Sequence, residues 1–247
     1  MTTRRSKRRP RIVGVIASPA DLDRALRVRR PPDLFELRLD RLVRMDDQLK
    51  KLLPKLPGPL IITARHPREG GAGRLSLSQR RKLLARFLGH ADYLDVELRS
   101  ASVLRSLLAL AKKKKVRRII SFHNFKSTPN ARILAAKARE AKSHGADIFK
   151  IATRTDTPME LGRLLDFITK NYVDVPLAVM GIGRLGAISR VLLARAGSVL
   201  IYASVGAVTD VEGQLSLEQF RALGFARETG EPLKTVHARH LPFARRA

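Results

Sequence analysis

The chain has 247 residues, no cysteine and no tryptophan, with 44% hydrophobic and 29% charged residues. That length suits one soluble domain with a sizeable core; the missing thiols exclude disulfides, thiolate metal sites and a cysteine nucleophile, and no apolar run approaches the length that crosses a bilayer. The net charge of +27, from 49 basic and 22 acidic residues, points to anionic partners such as nucleic acid, anionic lipid or a small acid, although 5% aromatics argue against a stacking platform for single strands.

Residues 1–10 form a basic leader carrying Arg4, Arg5, Lys7, Arg8 and Arg9. Paired arginines ahead of the apolar run 12–17 imitate a secretion signal. Six apolar residues are too few for one, and Pro19-Ala-Asp-Leu-Asp23 continues as a capped helix start, so a cytoplasmic protein is expected. From there, short apolar runs alternate with helix-spaced segments. The runs are 12–17, 34–39, 60–64, 93–98, 118–122, 148–152, 177–180 and 199–203. The helical segments are 22–28, 46–53, 77–88, 103–113, 131–143, 159–169, 188–196 and 217–226. Eight strand–helix units in this length predict a single-domain (β/α)8 TIM barrel over residues 11–227. A doubly wound dinucleotide fold would need a Gly-rich first turn, and Ala17-Ser-Pro-Ala20 is not one. Pro57-Gly58-Pro59 and Pro176 punctuate the chain before the third and seventh strands, and Gly145 and Gly197 fall where left-handed helix ends are expected. Residues 228–247 read as a basic appendage. A further basic run is Lys112 to Lys115 with Arg117 and Arg118. A solvated surface is one reading of these clusters, and salt-dependent polyanion binding through the basic termini is the other.

In such a barrel the C-terminal strand ends share one rim, so polar residues at those ends should converge. The second run carries Glu36 and Arg38, and the third ends in Thr63-Ala-Arg65 before Glu69-Gly-Gly71. The fourth holds Asp95 and Glu97, the fifth reaches His123, and the sixth carries Lys150. A lysine on a central strand is costly to bury without a partner; burial then favours the neutral amine, the nucleophile of imine chemistry, whereas an edge-strand lysine would only snorkel. His123 is a neutral-range acid/base whose other ring N–H could be taken by Glu69 or Asp95, if it is not simply a core histidine. Arg65 and Arg190 are candidates for holding a carboxylate.

These pieces, in order, resemble the type I 3-dehydroquinate dehydratase family. Glu36-Leu-Arg-Leu-Asp40 is similar to its E-x-R-x-D strand, Thr63-Ala-Arg65 with Glu69-Gly-Gly71 to T-x-R…E-G-G, and Asp95-Val-Glu97 to D-x-E. Ser121-Phe-His-Asn-Phe125 with Thr128-Pro129 resembles S-x-H-D-F…T-P, Lys150-Ile-Ala152 matches K-I-A, Gly186-Ala-Ile-Ser-Arg190 resembles G-x-x-S-R, and Gly213-Gln214 resembles G-Q. The resemblance implies a lyase of the shikimate pathway, serving chorismate and aromatic amino acid biosynthesis. It dehydrates 3-dehydroquinate to 3-dehydroshikimate through a Lys150 imine, without metal or organic cofactor, in an enzyme expected to be a homodimer, dimers or tetramers occurring among relatives. It further implies that His123 is the acid/base, Glu69 and Asp95 position it, Arg190 holds the carboxylate, and Glu36, Arg38, Arg65 and Gln214 surround the ring hydroxyls. Departures are Ile182 for a methionine, Asn124 for an aspartate, Val15 for a serine that Ser18 could replace, and Asp210 for a substrate-contacting serine; the last predicts weaker binding or a rearranged loop. The competing readings are an aldolase-like imine barrel and an inert relative binding nucleic acid or other polyanions.

Overall fold

The computed structural model of the chain describes residues 9–170, 173–206 and 211–225. Eight parallel strands lie in the order β7-β6-β5-β4-β3-β2-β1-β8: β1 Arg11–Ile16, β2 Leu34–Arg38, β3 Leu60–Thr63, β4 Tyr93–Glu97, β5 Arg117–Asn124, β6 Ile148–Arg154, β7 Leu177–Ile182 and β8 Leu200–Ser204. The Val199 N–H donates to Leu177 O at 2.8 Å, joining the approach to β8 with β7 and nearly closing the ring. Around it run α1 Pro19–Arg27, α2 Asp46–Leu52, α3 Leu77–Phe87, α4 Leu98–Ala101, α5 Arg105–Lys113, α6 Ala131–Ser143, α7 Pro158–Lys170, α8 Gly186–Ala196 and α9 Leu217–Phe220. None of the described helices is long and apolar enough to cross a membrane.

Strand side chains alternate between two environments because the pleat has a period of two. One set, including Phe35, Leu37, Ile62, Leu94, Ile120, Phe149 and Val179, packs outward against the helices. The other set, Val13, Leu34, Ile61, Tyr93, Ile119, Ile148, Ala178, Leu200 and Tyr202, fills the interior. Inward positions farther along the same strands are Glu36, Thr63, Asp95, Ser121 and Lys150. The barrel is therefore apolar at the strand starts and charged toward the strand ends.

A second regularity appears at the strand starts. Asp33, just before β2, accepts from the Ile12 N–H of β1 at 2.8 Å; Asp92, before β4, from Leu60 of β3 at 2.9 Å; and Asp147, before β6, from Arg118 of β5 at 2.7 Å. Ser198 Oγ, before β8, accepts from Val179 of β7 at 2.9 Å. Each odd–even strand pair is pinned by one polar side chain, which satisfies an amide there and fixes register.

Helix starts follow local chemistry. Ser18 Oγ accepts from the Asp21 N–H with Pro19 in the first turn, and Ser76 with Gln79 makes a reciprocal capping box on α3. Several expected boundaries move. Strand β5 runs on through the polar His123 and Asn124 because both stay paired with β6, opposite Ala152 and Thr153. The β4–α5 connection holds the separate short helix α4. The last helix ends at Phe220, and a π turn with Gly224 at φ 77° replaces its continuation. Gly145 and Gly197 both have positive φ, as their helix-end positions require.

Lys115, just past α5, is the described non-glycine residue with positive φ, at 60°. A side chain there costs about 1–2 kcal/mol relative to right-handed backbone, partly offset by the looser unfolded chain of glycine. Lys115→Gly is expected to stabilise the fold by about 0.5–1 kcal/mol in urea unfolding, and a loss of stability would show that the lysine side chain supports the turn.

Candidate active site

At the strand ends the inward side chains form a charged cluster. Arg65, just past β3, grips Asp95 with two hydrogen bonds of 3.1 and 2.9 Å and also reaches Glu97 at 3.2 Å and Ser121 Oγ at 2.6 Å. Ser121 in turn donates to Asp95 at 2.6 Å. Lys150 Nζ lies 3.1 Å from Asp95 and 3.3 Å from Glu36, which also accepts from Thr63 Oγ1 at 2.8 Å. Below the amine is the face of Tyr202, its centroid 3.9 Å away. Lys150 is 4% exposed, so it does not snorkel. Nor is it unpartnered: two carboxylates and an aromatic face surround a position suited to a cation. Burial opposes ionisation of Asp95, but Arg65 and then Lys150 outweigh it and hold its carboxyl well below the usual range.

His123 and Glu69 form a second unit on the same rim. Glu69 ends a short 3-10 turn, Pro67–Glu69, closed by Gly70 at φ 82°. A Cβ on Gly71 would lie 2.2 Å from Arg65 O, so the two glycines let the chain double back against Arg65 and aim Glu69 inward. One Glu69 oxygen meets His123 Nδ1 at 2.9 Å and accepts the His123 backbone N–H at 3.1 Å; the other pairs with Arg99 Nε at 3.1 Å. Nε2 of His123 has no hydrogen-bond partner among the described residues. Burial, followed by Arg65 and Lys150, holds the imidazole neutral, well below the usual histidine range. Burial and the Glu97 charge push Glu69 up to about 7.

Asp95, expected to position and tune His123, makes no hydrogen bond to the ring. It is level with Ile119 on β5, four residues before His123, and its oxygens are occupied by Arg65, Ser121 and Lys150. Its field still favours the imidazolium, but it holds Lys150 rather than the ring.

Arg190 projects inward from α8 and is 3% exposed. It donates to Tyr202 O at 3.2 Å and contacts Met180 Sδ at 3.6 Å, while its Nε has no partner and no carboxylate pairs with it among the described residues. Desolvation alone lowers it to about 10. Arg38 lies at the mouth, held to Asp40 by bonds of 2.9 and 2.8 Å and to Gly70 O. Beside it a cavity of about 250 Å³ opens between the ends of β1, β2 and β8, lined by Val15, Ser18, Asp21, Arg38 and Gln214 among others. Gln214 is brought there because Gly213, at φ 77°, packs on Gly186, where a Cβ would come within 2.6 Å of the Gly186 Cα.

The departures also find places. Val15 stays in strand register, paired with Glu36 and Ser204, while Ser18 caps α1 at the rim. Asn124 Oδ1 accepts from the Lys126 N–H at 2.9 Å. Asp210, residues 1–8 of the leader and the residues beyond Phe225 lie outside the described residues. Residues not singled out from sequence are Tyr202 under Lys150, Arg99 on Glu69, and Arg80, buried on α3 and bonded to Glu97 at 2.8 Å and Ser100 at 3.0 Å. Two acids on alternate positions of β4 require cations on the same side, a signal that points to a partner for Glu97 without saying which arginine supplies it.

Residues 16–230 match the family model described as type I 3-dehydroquinase. A 3-dehydroquinate dehydratase of Geobacillus sp. (strain WCH70) is 32% identical over 205 residues, covering 78% of this chain and 79% of that protein. The crystal structure of the enzyme from Geobacillus kaustophilus superposes with a TM-score of 0.76 at 26% identity, covering 87% of this chain and 89% of the other. The type I enzyme of Clostridium difficile, solved with covalently modified comenic acid, gives 0.77 at 26% identity, covering 87% and 91%.

The Glu69–His123 contact sets the ring tautomer. Ionised Glu69 takes the Nδ1–H and leaves Nε2 as a free base, whereas a protonated Glu69 donates to Nδ1 and moves the proton to Nε2. Nitrogen NMR of the His123 ring is therefore expected to report a tautomer change near pH 7, with Nδ1–H on the alkaline side. Arg99 lowers Glu69, so Arg99→Gln should move the change to higher pH; an unmoved midpoint would mean that Arg99 does not act on the carboxylate.

Proposed function

The chain belongs to the type I 3-dehydroquinase family, and from that premise we propose that it is a lyase converting 3-dehydroquinate to 3-dehydroshikimate through an imine on Lys150. The observation that carries the reading is the buried Lys150 amine, held at the barrel centre by Asp95, Glu36 and the Tyr202 face.

Lys150 passes one proton to His123 and its amine adds to the C3 ketone; the proton returns to the carbinolamine hydroxyl, which leaves as water, and a protonated imine remains. That cation occupies surroundings already arranged for positive charge, so it is stabilised without reorganisation. It draws electrons from C2, and His123 Nε2 removes the C2 proton, the Nδ1–H being held by ionised Glu69. The resulting enamine expels the C1 hydroxyl, which leaves as water with the proton returned by His123. Addition of one water to the conjugated imine releases 3-dehydroshikimate and restores the lysine. The net change is loss of one water, and no cofactor takes part.

Arg190 suits the ring carboxylate. A buried guanidinium with no acid partner among the described residues carries a charge that a carboxylate would neutralise. Arg38 and Gln214, at the mouth, face the ring hydroxyls. Arg65 and Glu36 act indirectly: Arg65 is saturated by Asp95, Glu97 and Ser121, and both hold the frame around Lys150.

Borohydride reduction in the presence of 3-dehydroquinate or its product is expected to add the ligand's mass to Lys150. A folded sample that shows neither labelling nor turnover would remove the reading. Arg190→Gln should raise KM by about tenfold to a hundredfold, the scale of one lost charged hydrogen bond, with a smaller effect on kcat; an unchanged KM would place the carboxylate elsewhere.

A further inference from the structure

The strongest unassigned feature is the end of the barrel opposite the active site. In a parallel barrel each helix returns the chain to the strand starts, so helix C-termini and strand N-termini share one face. Cations collect there. Lys112 and Lys113 end α5, Lys114 caps it, Lys115 follows, Arg117 opens β5 and Lys142 lies in the last turn of α6, all exposed. Part of this charge complements the negative ends of the helices. The acids of the face are turned to other tasks: Asp33, Asp92 and Asp147 accept strand amides, and Asp33 and Asp147 are also paired with Arg9 and Arg118. Glu140 near the end of α6 and Asp174 ahead of β7 are exposed acids nearby, too few to balance the cations.

Two further observations point the same way. Lys115 occupies backbone at φ 60° that favours glycine, so its side chain adds charge rather than conformational ease. The chain also reaches this face at Arg9, immediately after Arg4, Arg5, Lys7 and Arg8 in the sequence. We infer that this face docks double-stranded nucleic acid through its phosphate backbone, without reading base sequence. A single strand would call for exposed aromatic faces and a lipid surface for aromatic or apolar anchors among the cations. Phe125, the exposed aromatic among the described large hydrophobic residues, stacks beside His123 on the opposite rim, and Leu110 of α5, 39% exposed, is a single apolar side chain beside these lysines, too little to anchor a lipid surface. A duplex held below would leave the active site open.

The test is fluorescence anisotropy of the full chain with two unrelated short DNA duplexes across a salt series. Both duplexes should bind with similar affinity that falls steeply with salt. A variant combining Lys112→Gln, Lys113→Gln, Lys114→Gln and Lys115→Gln should bind at least about tenfold more weakly at physiological salt, with the log–log salt slope reduced by about 3, while thermal unfolding shows a folded protein. Four results would overturn the inference: no duplex binding even at low salt, a variant that binds like the parent, capture by anionic phosphatidylglycerol vesicles but not by duplex, or an equal loss when the exposed Arg44, Arg81, Lys82 and Arg132 are replaced by Gln instead, since that would assign binding to diffuse charge.

Discussion

Everything at the active end of the barrel rests on mutual neutralisation of buried charge. Glu36, Asp95 and Glu97 face Arg65, Arg80 and Lys150, and each of the six is 4% exposed or less. Three carboxylates and three cations sum to zero. Each charge offsets the burial of its opposites, because a lone buried charge costs several kcal/mol. Arg65 is the common partner, touching Asp95, Glu97 and Ser121 from one guanidinium. Its planar fork suits the task; a lysine would offer a single point charge to three acceptors on two strands. The same bonds that keep the interior neutral also hold Lys150 on the axis.

The neutral set makes the remaining ionisable groups meaningful. Outside it stand Arg190, with no acid among the described residues, and Glu69 with His123. These last two are driven apart by their surroundings: the imidazole is kept neutral by burial and nearby cations, while Glu69 is pushed up by burial and Glu97. A base near neutrality needs that separation, since a permanently charged imidazolium could not accept a proton. Asp95 and Glu69 thus divide between two units the work that the family resemblance assigned to one. Asp95 stabilises a cation at Lys150, and Glu69 orients the imidazole.

Strand and helix placement was legible because burial on both sides of a parallel strand writes itself as short apolar runs. The site residues were legible for the reason that barrel strand ends meet on one rim. Depth was not. Asp95 and His123 both point inward, but only the ladder pairing, Asp95 with Ile119, reveals that His123 lies farther along its strand. Arg80 was hidden among 49 basic residues, since helical spacing cannot distinguish a buried arginine from a solvated one. Tyr202 read as core packing, and it does pack in the core; what sequence could not supply is the amine above its ring. The strand-pinning Asp33, Asp92 and Asp147 were visible as letters before apolar runs, yet their purpose depends on a neighbouring strand.

The division between the two ends accounts for how so basic a chain can carry a site that depends on balanced charge. A field of +27 spread evenly would act on every titratable group. Here the inner set is sealed by its own pairing, while Lys112 to Lys115 lie exposed at the strand starts, across the apolar layer of Val13, Leu34, Ile61, Ile119 and Ile148. Exposed charges are screened over about 8 Å at physiological ionic strength. Charge on the far face can therefore vary with little consequence for His123 or Lys150. The fold leaves one end free to acquire a surface property because the described buried cations at the other end are paired with carboxylates except for Arg190, and that exception is the position an anionic ligand would fill.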